Sequence, residues 1–250
     1  MSENIFTPES ERLDEINERL KLIQRRRGLT FGTDAYLLAA FTKAVPCGRA
    51  ADLGCGTGVI SLLCAARGRF SKIYACELQS EYASLTERNV KLNGLLDKIS
   101  VLNIDVRDLT QKDTEGQLDA VFTNPPYMKA NSGRENPDDE KNIARRELNG
   151  TVVDFCNAAG RLLKSGGRFY AVHRPERMCD LICAMRESGI EPKRLQLVCQ
   201  RVGDAPMLIL CEGRRGGNSG MTLLPPLIVE DGQGGYSPEM KEIYKLMEGL

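Results

Sequence analysis

From residue 49 onward the chain alternates between two rhythms of apolar and polar positions. Short apolar runs (RAADL, KIYACE, ISVLNID, LDAVFTN, RFYAVHR) read as buried strands. Between them VISLLCAARG, LQSEYASLTERNVKLNG, TVVDFCNAAGRLLKSGG and PERMCDLICAMRESG read as helices. The punctuation agrees. Gly94 closes the second helix, Thr151 stands at the N-cap of the third with a glycine pair at its end, and Pro175 opens the fourth. RLQLVCQRV and APMLILCEG read as a closing pair of strands. This alternation predicts an α/β fold: a doubly wound, mainly parallel sheet with helices on both faces.

Two shorter parts flank this core, which gives a division into 1–46, 47–213 and 214–250. The first contains an acidic stretch expected to be helical, the basic strand-like LKLIQRRRG, and LTFGTDAYLLAAFTKAV. The last is Gly- and Pro-rich and ends in EMKEIYKLMEGL, a short amphipathic helix. The polar stretch 128–149 has no periodicity and is expected to be a lid, mobile without its substrate.

Bulk composition removes several function classes. No apolar run approaches a membrane span, and the acidic N-terminus lacks a signal-peptide pattern, so a cytoplasmic protein is expected. Nine cysteines without Cys-x-x-Cys spacing argue for reduced thiols, against a disulfide scaffold and against a metal site. Net charge is zero, 34 basic against 34 acidic residues, so nucleic-acid binding would need basic residues gathered on one face.

ADLGCGTG, residues 51–58, joins the first strand to the first helix. Gly54, Gly56 and Gly58 permit a tight turn on which a ligand can lie against the backbone. The spacing is GxGxG, not the dinucleotide GxGxxG. Asp52 before it would repel a pyrophosphate but suits the cationic amino acid end of S-adenosylmethionine. Glu77, closing the second strand, can accept both ribose hydroxyls of an adenosine, and Asp105, after the third, an adenine amine. Three acids at successive strand ends favour a nucleoside pocket. After the fourth strand stands Asn124-Pro125-Pro126-Tyr127. The two prolines fix two φ angles and restrict the residue before each, giving a stiff hook suited to placing atoms accurately.

DLGCGTG, the acids at Glu77 and Asp105, and NPPY occur in the order found in class I S-adenosylmethionine-dependent methyltransferases, which the chain resembles over about residues 30–213. The resemblance implies a seven-stranded Rossmann-like sheet with its last strand antiparallel. It implies that Thr33 and Asp34 close over the methionine end of the cofactor, S-adenosylmethionine, and that Asn124 lies beside its sulfonium methyl. In that family NPPY marks transfer to a planar nitrogen. The Asn124 side-chain oxygen and the Pro125 carbonyl would accept its two N–H groups, and Tyr127 would stack on a flipped base.

RRRGLTFGTDAYLLAAF, NPPYMK, VHRPERM and PPLIVEDGQGGYSPEM extend the likeness over most of the chain to the tRNA1(Val) (adenine(37)-N(6))-methyltransferase family. This implies methylation of an adenine amine beside a tRNA anticodon. The extensions are too short for the extra domains of glutamine, guanine or DNA-adenine enzymes, although an rRNA amine or a protein glutamine amide remains an alternative. A lone catalytic domain would grip RNA phosphates with Arg25, Arg26, Arg27, Lys129, Arg134, Arg145, Arg146 and Arg174, residues 1–46 helping to close the site. His173 and Tyr236 read as packing residues. A monomer is favoured, with tRNA as partner and neither metal nor membrane.

Overall fold

A computed structural model of the chain describes residues 9–17, 19–26, 32–125 and 150–248. The strands are β1 (Glu11–Glu15), β2 (Lys21–Arg25), β3 (Val45–Leu53), β4 (Phe70–Glu77), β5 (Ile99–Asn103), β6 (Leu118–Thr123), β7 (Leu163–His173), β8 (Ile190–Cys199), β9 (Pro206–Arg215), β10 (Thr222–Leu223) and β11 (Leu227–Ile228). The helices are α1 (Thr33–Phe41), α2 (Val59–Ala66), α3 (Ser80–Leu92), α4 (Val152–Leu162), α5 (Met178–Glu187) and α6 (Pro238–Glu248). The expected lid 128–149 falls outside the described residues.

The sheet has nine strands, not seven. Seven long strands run β5-β4-β3-β6-β7-β9-β8, and the two-residue strands β10 and β11 both pair with β8 at the edge. β9 is antiparallel to both β7 and β8, as the resemblance implied. The extra edge comes from the tail, and its break has a simple cause. Pro225 and Pro226 have no N–H to give to β8, so one strand becomes two short pieces on either side of them. The Gln196 side chain fills the gap by donating to the Pro225 carbonyl at 3.1 Å.

Strand alternation divides the core in two. Ala50, Ala120, Phe122, Tyr170 and Val172 pack with α1 and α2, while their neighbours Ala51, Val121, Phe169 and Ala171 pack with α4 and α5. α4 starts at a capping box, with the Thr151 N–H donating to Asp154 at 2.7 Å and the Asp154 N–H to the Thr151 hydroxyl at 3.4 Å. It ends at Leu162, and the glycine pair expected at its end lies inside β7.

Both flanking parts pack on the central sheet. Residue 47 lies inside β3 and residue 213 inside β9, while the core of the α1 face takes Leu37 and Leu38 from one flank and Leu227, Val229 and Met240 from the other. Both flanks share the central hydrophobic core.

The N-terminal acidic stretch is a hairpin, not a helix. β1 pairs antiparallel with β2, and two asparagines of α3 extend β2 on its other side. The Lys21 N–H donates to Asn93 at 2.9 Å and the Asn93 amide returns to the Lys21 carbonyl at 2.7 Å. Ile23 and Asn89 repeat the exchange at 2.7 and 3.0 Å. Alternate strand residues advance about 6.6 Å and residues four apart on a helix about 6 Å, so two amides on one helix face serve as a substitute strand. Asn89 also donates to the Thr57 carbonyl at 3.0 Å, which ties the hairpin to the glycine loop.

Ile23 and Asn89 are fully buried, whereas Asn93 lies nearer solvent. Asn89→Ala, leaving a buried N–H and two carbonyls unmatched, is expected to cost about 2–4 kcal/mol and Asn93→Ala about 1 kcal/mol or less. Urea unfolding, with hydrogen exchange at the Ile23 amide, measures both. Equal losses would show that the ladder does not work as described.

Candidate active site

The candidate residues converge at the carboxyl edge of the parallel strands, where the order reverses between β3 and β6. The loop after β3 carries three glycines with positive φ, at +70° (Gly54), +57° (Gly56) and +81° (Gly58). They serve different ends. A Cβ on Gly58 would meet the Thr86 methyl at 2.6 Å and one on Gly54 the Phe155 ring at 3.1 Å, whereas one on Gly56 would meet nothing within 4 Å. The first two let the loop lie close to its own scaffold. Only Gly56 offers bare backbone to a ligand. Its carbonyl accepts from Thr86 at 2.7 Å and its N–H donates to Glu77 at 2.9 Å.

Glu77 ends β4 with its carboxylate fixed by two backbone donors, Gly56 and Gln79, each at 2.9 Å. Each oxygen keeps a second lone pair for a hydroxyl. The Asn103 amide donates to the carbonyls of Glu77 and Leu78, both at 2.9 Å, so β5 holds the same corner. Asp105 is also preoccupied. Arg107 donates to it from its backbone N–H and its guanidinium, and these bonds hold the carboxyl below its ordinary range. An adenine amine would have to share Asp105 with that fork.

Asp52 departs from expectation. Its side chain is fully buried beneath the glycine loop, so the carboxylate does not itself reach the opening. The Ser61 hydroxyl donates to Oδ2 at 2.8 Å, while Oδ1 is buried with no hydrogen-bond partner among the described residues. Burial pushes the pKa up to about 7, opposed by the Ser61 hydrogen bonds. Any effect on a cation above the loop is therefore electrostatic, through the intervening backbone.

The hook meets α1. At the end of β6 the Thr123 hydroxyl donates to the Leu53 carbonyl at 2.8 Å, and the next residue, Asn124, donates from Nδ2 to Asp34 Oδ2 at 2.8 Å. A carboxylate oxygen accepts, so the amide presents its nitrogen to Asp34 and its oxygen to the other side. That oxygen, Oδ1, is buried and accepts no hydrogen bond from any described residue. Asp34 Oδ1 takes the Ala35 N–H at 2.9 Å in the first turn of α1, where a carboxylate also suits the helix dipole. Pro125 is buried. Pro126 and Tyr127 lie outside the described residues.

Of the basic candidates, Arg25 is ion-paired with Glu81 at an exposed position, Arg26 is exposed, and Arg174 is exposed after β7 and donates to the Met207 carbonyl at 3.4 Å. Arg27, Lys129, Arg134, Arg145 and Arg146 lie outside the described residues. His173 is buried beside Arg174, and burial, with help from Arg177, pushes its pKa down to about 4. It is therefore neutral at physiological pH, in keeping with a packing residue.

The sequence reading missed three features: the Asp34–Asn124 bond, the Ser61–Asp52 bond, and Leu78, which is 37% exposed beside Glu77. Leu78 had a signal, an apolar residue directly after a strand-end acid. The two hydrogen bonds had none, because the first spans ninety residues and the second needs the burial of Asp52. Among the described residues no three metal-ligating side chains come together and no helix is long and apolar enough to cross a membrane. Gly56, Glu77 and Asp105 offer backbone and carboxylates suited to a nucleoside, and Asn124 Oδ1 is an acceptor that no described residue uses.

Comparison with known proteins agrees. The family model described as "Methyltransferase small domain" matches residues 26–187. The tRNA1(Val) (adenine(37)-N6)-methyltransferase of Histophilus somni is 29% identical over 190 residues, covering 71% of this chain and 79% of its own. The protein of the same name from Porphyromonas gingivalis is 26% identical over 230 residues, covering 89% of each. Among solved structures, a predicted O-methyltransferase from Agrobacterium tumefaciens aligns over 87% of this chain and 98% of its own, with TM-score 0.68 at 24% identity. Geranyl diphosphate C-methyltransferase from Streptomyces coelicolor aligns over 73% and 78%, with TM-score 0.53 at 14% identity. These two likenesses concern the fold.

Burial of Asp52 gives a signed pH dependence. Its folded pKa, about 7, lies above the unfolded value of 3.8. Between those values the folded protein holds a proton that the unfolded chain has lost, so stability falls as pH rises and levels off above about 7. Urea unfolding of wild type against Asp52→Asn should show wild type losing up to about 3 kcal/mol relative to the variant between pH 5 and pH 8. A gap that stays constant with pH would mean that Asp52 is ionised throughout.

Proposed function

The chain belongs to the methyltransferase small-domain family, and we propose that it methylates the exocyclic amine of an adenine in tRNA, adenine 37 beside the anticodon of tRNA(Val). When bound, S-adenosylmethionine supplies an electrophilic methyl group on a sulfonium. The chain's own residues do the rest. Gly56 offers its backbone to the cofactor, Glu77 its remaining lone pairs to the ribose hydroxyls, and Leu78 its apolar surface to the adenine, with Asp105 at the ring edge. Thr33 and Asp34 close the methionine end.

The observation that carries the reading is the Asn124 amide, with its nitrogen held by Asp34 at 2.8 Å and its oxygen buried without a hydrogen bond from any described residue. An adenine amine has two N–H groups and a lone pair delocalised into the ring. An acceptor fixed at Asn124 Oδ1, with the Pro125 carbonyl as its partner, draws the two protons to one side. The nitrogen then turns towards tetrahedral geometry and its lone pair is freed for in-line attack. No strong base is required, since the amine becomes acidic only as it is alkylated. Acceleration comes from positioning and from acceptors fixed before the reaction. A buried acceptor that no described residue satisfies is suited to a donor on a ligand.

The nucleotide is taken from the names of the Histophilus somni and Porphyromonas gingivalis relatives, tRNA1(Val) (adenine(37)-N6)-methyltransferases at 29% and 26% identity. Arg25, Arg26 and Arg174 are proposed as phosphate contacts, and a phosphate would compete with Glu81 for Arg25.

The test is transfer of labelled methyl from S-adenosylmethionine into tRNA lacking the modification, followed by nucleoside digestion. We expect label in N6-methyladenosine and a fall in kcat of about 10²–10³-fold for Asn124→Ala. Asp34→Ala should lower kcat by about ten-fold or more, because the amide is then free to turn over. Label in rRNA or protein instead would replace the substrate, and full activity in Asn124→Ala would refute the hook mechanism.

A further inference from the structure

Tyr236 is 46% exposed and is the one exposed aromatic side chain among the described residues. The sequence reads it as packing, and one side of it does pack. Its ring centroid lies 4.9 Å from that of Tyr244, which lies 5.0 Å from that of Tyr36 on α1. Tyr244 thus bridges the exposed ring and α1 through ring contacts. Thr33 opens α1 and precedes Asp34, which holds Asn124. Tyr36 lies in the first turn of α1, two residues after Asp34, so the exposed ring stands at the same end of that helix as the hook.

The ring is also fixed in advance. Tyr236 forms an antiparallel bridge with Glu230. Before it, the Asp231 carboxylate accepts the N–H groups of Gln233 at 2.8 Å and Gly235 at 3.0 Å, closing the turn. After it, the Ser237 hydroxyl accepts the Met240 N–H at 3.0 Å, capping α6, and Met240 is fully buried. An aromatic ring held this firmly at the surface loses little freedom when something stacks on it.

We propose that Tyr236 is a stacking platform for an unpaired base of the RNA substrate that flanks the target adenine. This rests on the RNA reading above. The charges around the ring favour a base over a phosphate as the contact. Glu230 is paired with Arg201 at 2.6 Å and Asp231 with Lys241 at 3.5 Å, so these two cations are already committed to the acids of the turn beside the ring. Extrusion of the target base leaves its neighbours unstacked, and an aromatic face beside the hook offsets that loss.

The probe is a fluorescein-labelled, unmodified anticodon stem-loop RNA, with binding read by anisotropy for wild type, Tyr236→Ala, Tyr236→Phe and Tyr236→Leu. Calorimetric titration with S-adenosylhomocysteine reports whether α1 is still seated in each variant. Tyr236→Ala and Tyr236→Leu are expected to weaken RNA binding by about 5- to 100-fold, and Tyr236→Phe to stay near wild type. The leucine variant keeps apolar bulk and removes only the π-face, so it also serves if the alanine variant folds poorly. RNA binding unchanged in alanine, or leucine as good as tyrosine, overturns the platform while methyl transfer by wild type to tRNA leaves the RNA reading intact. A wild-type protein that neither binds the stem-loop nor methylates tRNA overturns both.

Discussion

The hydrogen bond from Asn124 to Asp34 governs what the site can do. A primary amide is a donor on one side and an acceptor on the other, and the two ends have nearly the same shape. Shape alone therefore cannot fix which end faces a ligand. A carboxylate can, because it accepts from the nitrogen and would repel the oxygen. A hydrogen bond to a charged group contributes about 1.5–3 kcal/mol, which biases the two orientations by roughly ten- to a hundred-fold. The bond joins residues ninety positions apart, so its geometry is only as good as the seating of α1 against β6. That seating comes from Leu37 and Leu38 in the core of the α1 face and from the tail that packs on the same helix.

Seen this way, the flanking segments belong to the machinery of the site. The N-terminal hairpin is bonded to α3 and, through Asn89, to the Thr57 carbonyl of the glycine loop. The C-terminal helix reaches the first turn of α1 through the ring contact of Tyr244 with Tyr36. The Asn89 attachment uses a polar side chain in a buried place, where direction matters more than net stabilisation. Apolar contacts alone would bury as much surface but would let the loop slide. Asn89 sets the register of the hairpin against the glycine loop, and the Tyr36–Tyr244 pair seats the tail on α1.

Most of the central sheet was legible because each strand and helix carried its own signal: period-two or continuous apolar runs, a threonine N-cap, a proline opening. The glycine loop and the acids at the ends of the strands were legible for the same reason, being local. The misreadings all involve partners distant in sequence. The apolar residues Leu13, Ile16 and Leu20 are spaced as on a helix, yet Leu13 is 44% exposed and Glu11 is buried against Arg88. Two asparagines on α3 supply the missing strand edge, and nothing in residues 9–26 announces them. The burial of Asp52 beneath the glycine loop was not legible, because it depends on the whole β3–α2 corner. The nine-stranded count followed from a tail whose prolines hid two short strands.

The two strand-end acids differ in a way that sets their weight in recognition. Glu77 is held by two backbone N–H groups, which cannot move without moving β4 and the glycine loop. Its free lone pairs therefore point in directions fixed before any ligand arrives, and a ribose that misplaces its hydroxyls loses both bonds at once. Asp105 is held by Arg107, an exposed side chain with rotamers to spare. That clamp can loosen to admit an amine or stay closed at small cost, since an exposed ion pair contributes at most about 1 kcal/mol. Discrimination should therefore be strict at the ribose and lenient at the base edge of the cofactor. On the proposed reading the stringency for the methylated base then falls to Asn124, whose Oδ1 is fixed by the bond from its nitrogen to Asp34 and accepts from no described residue.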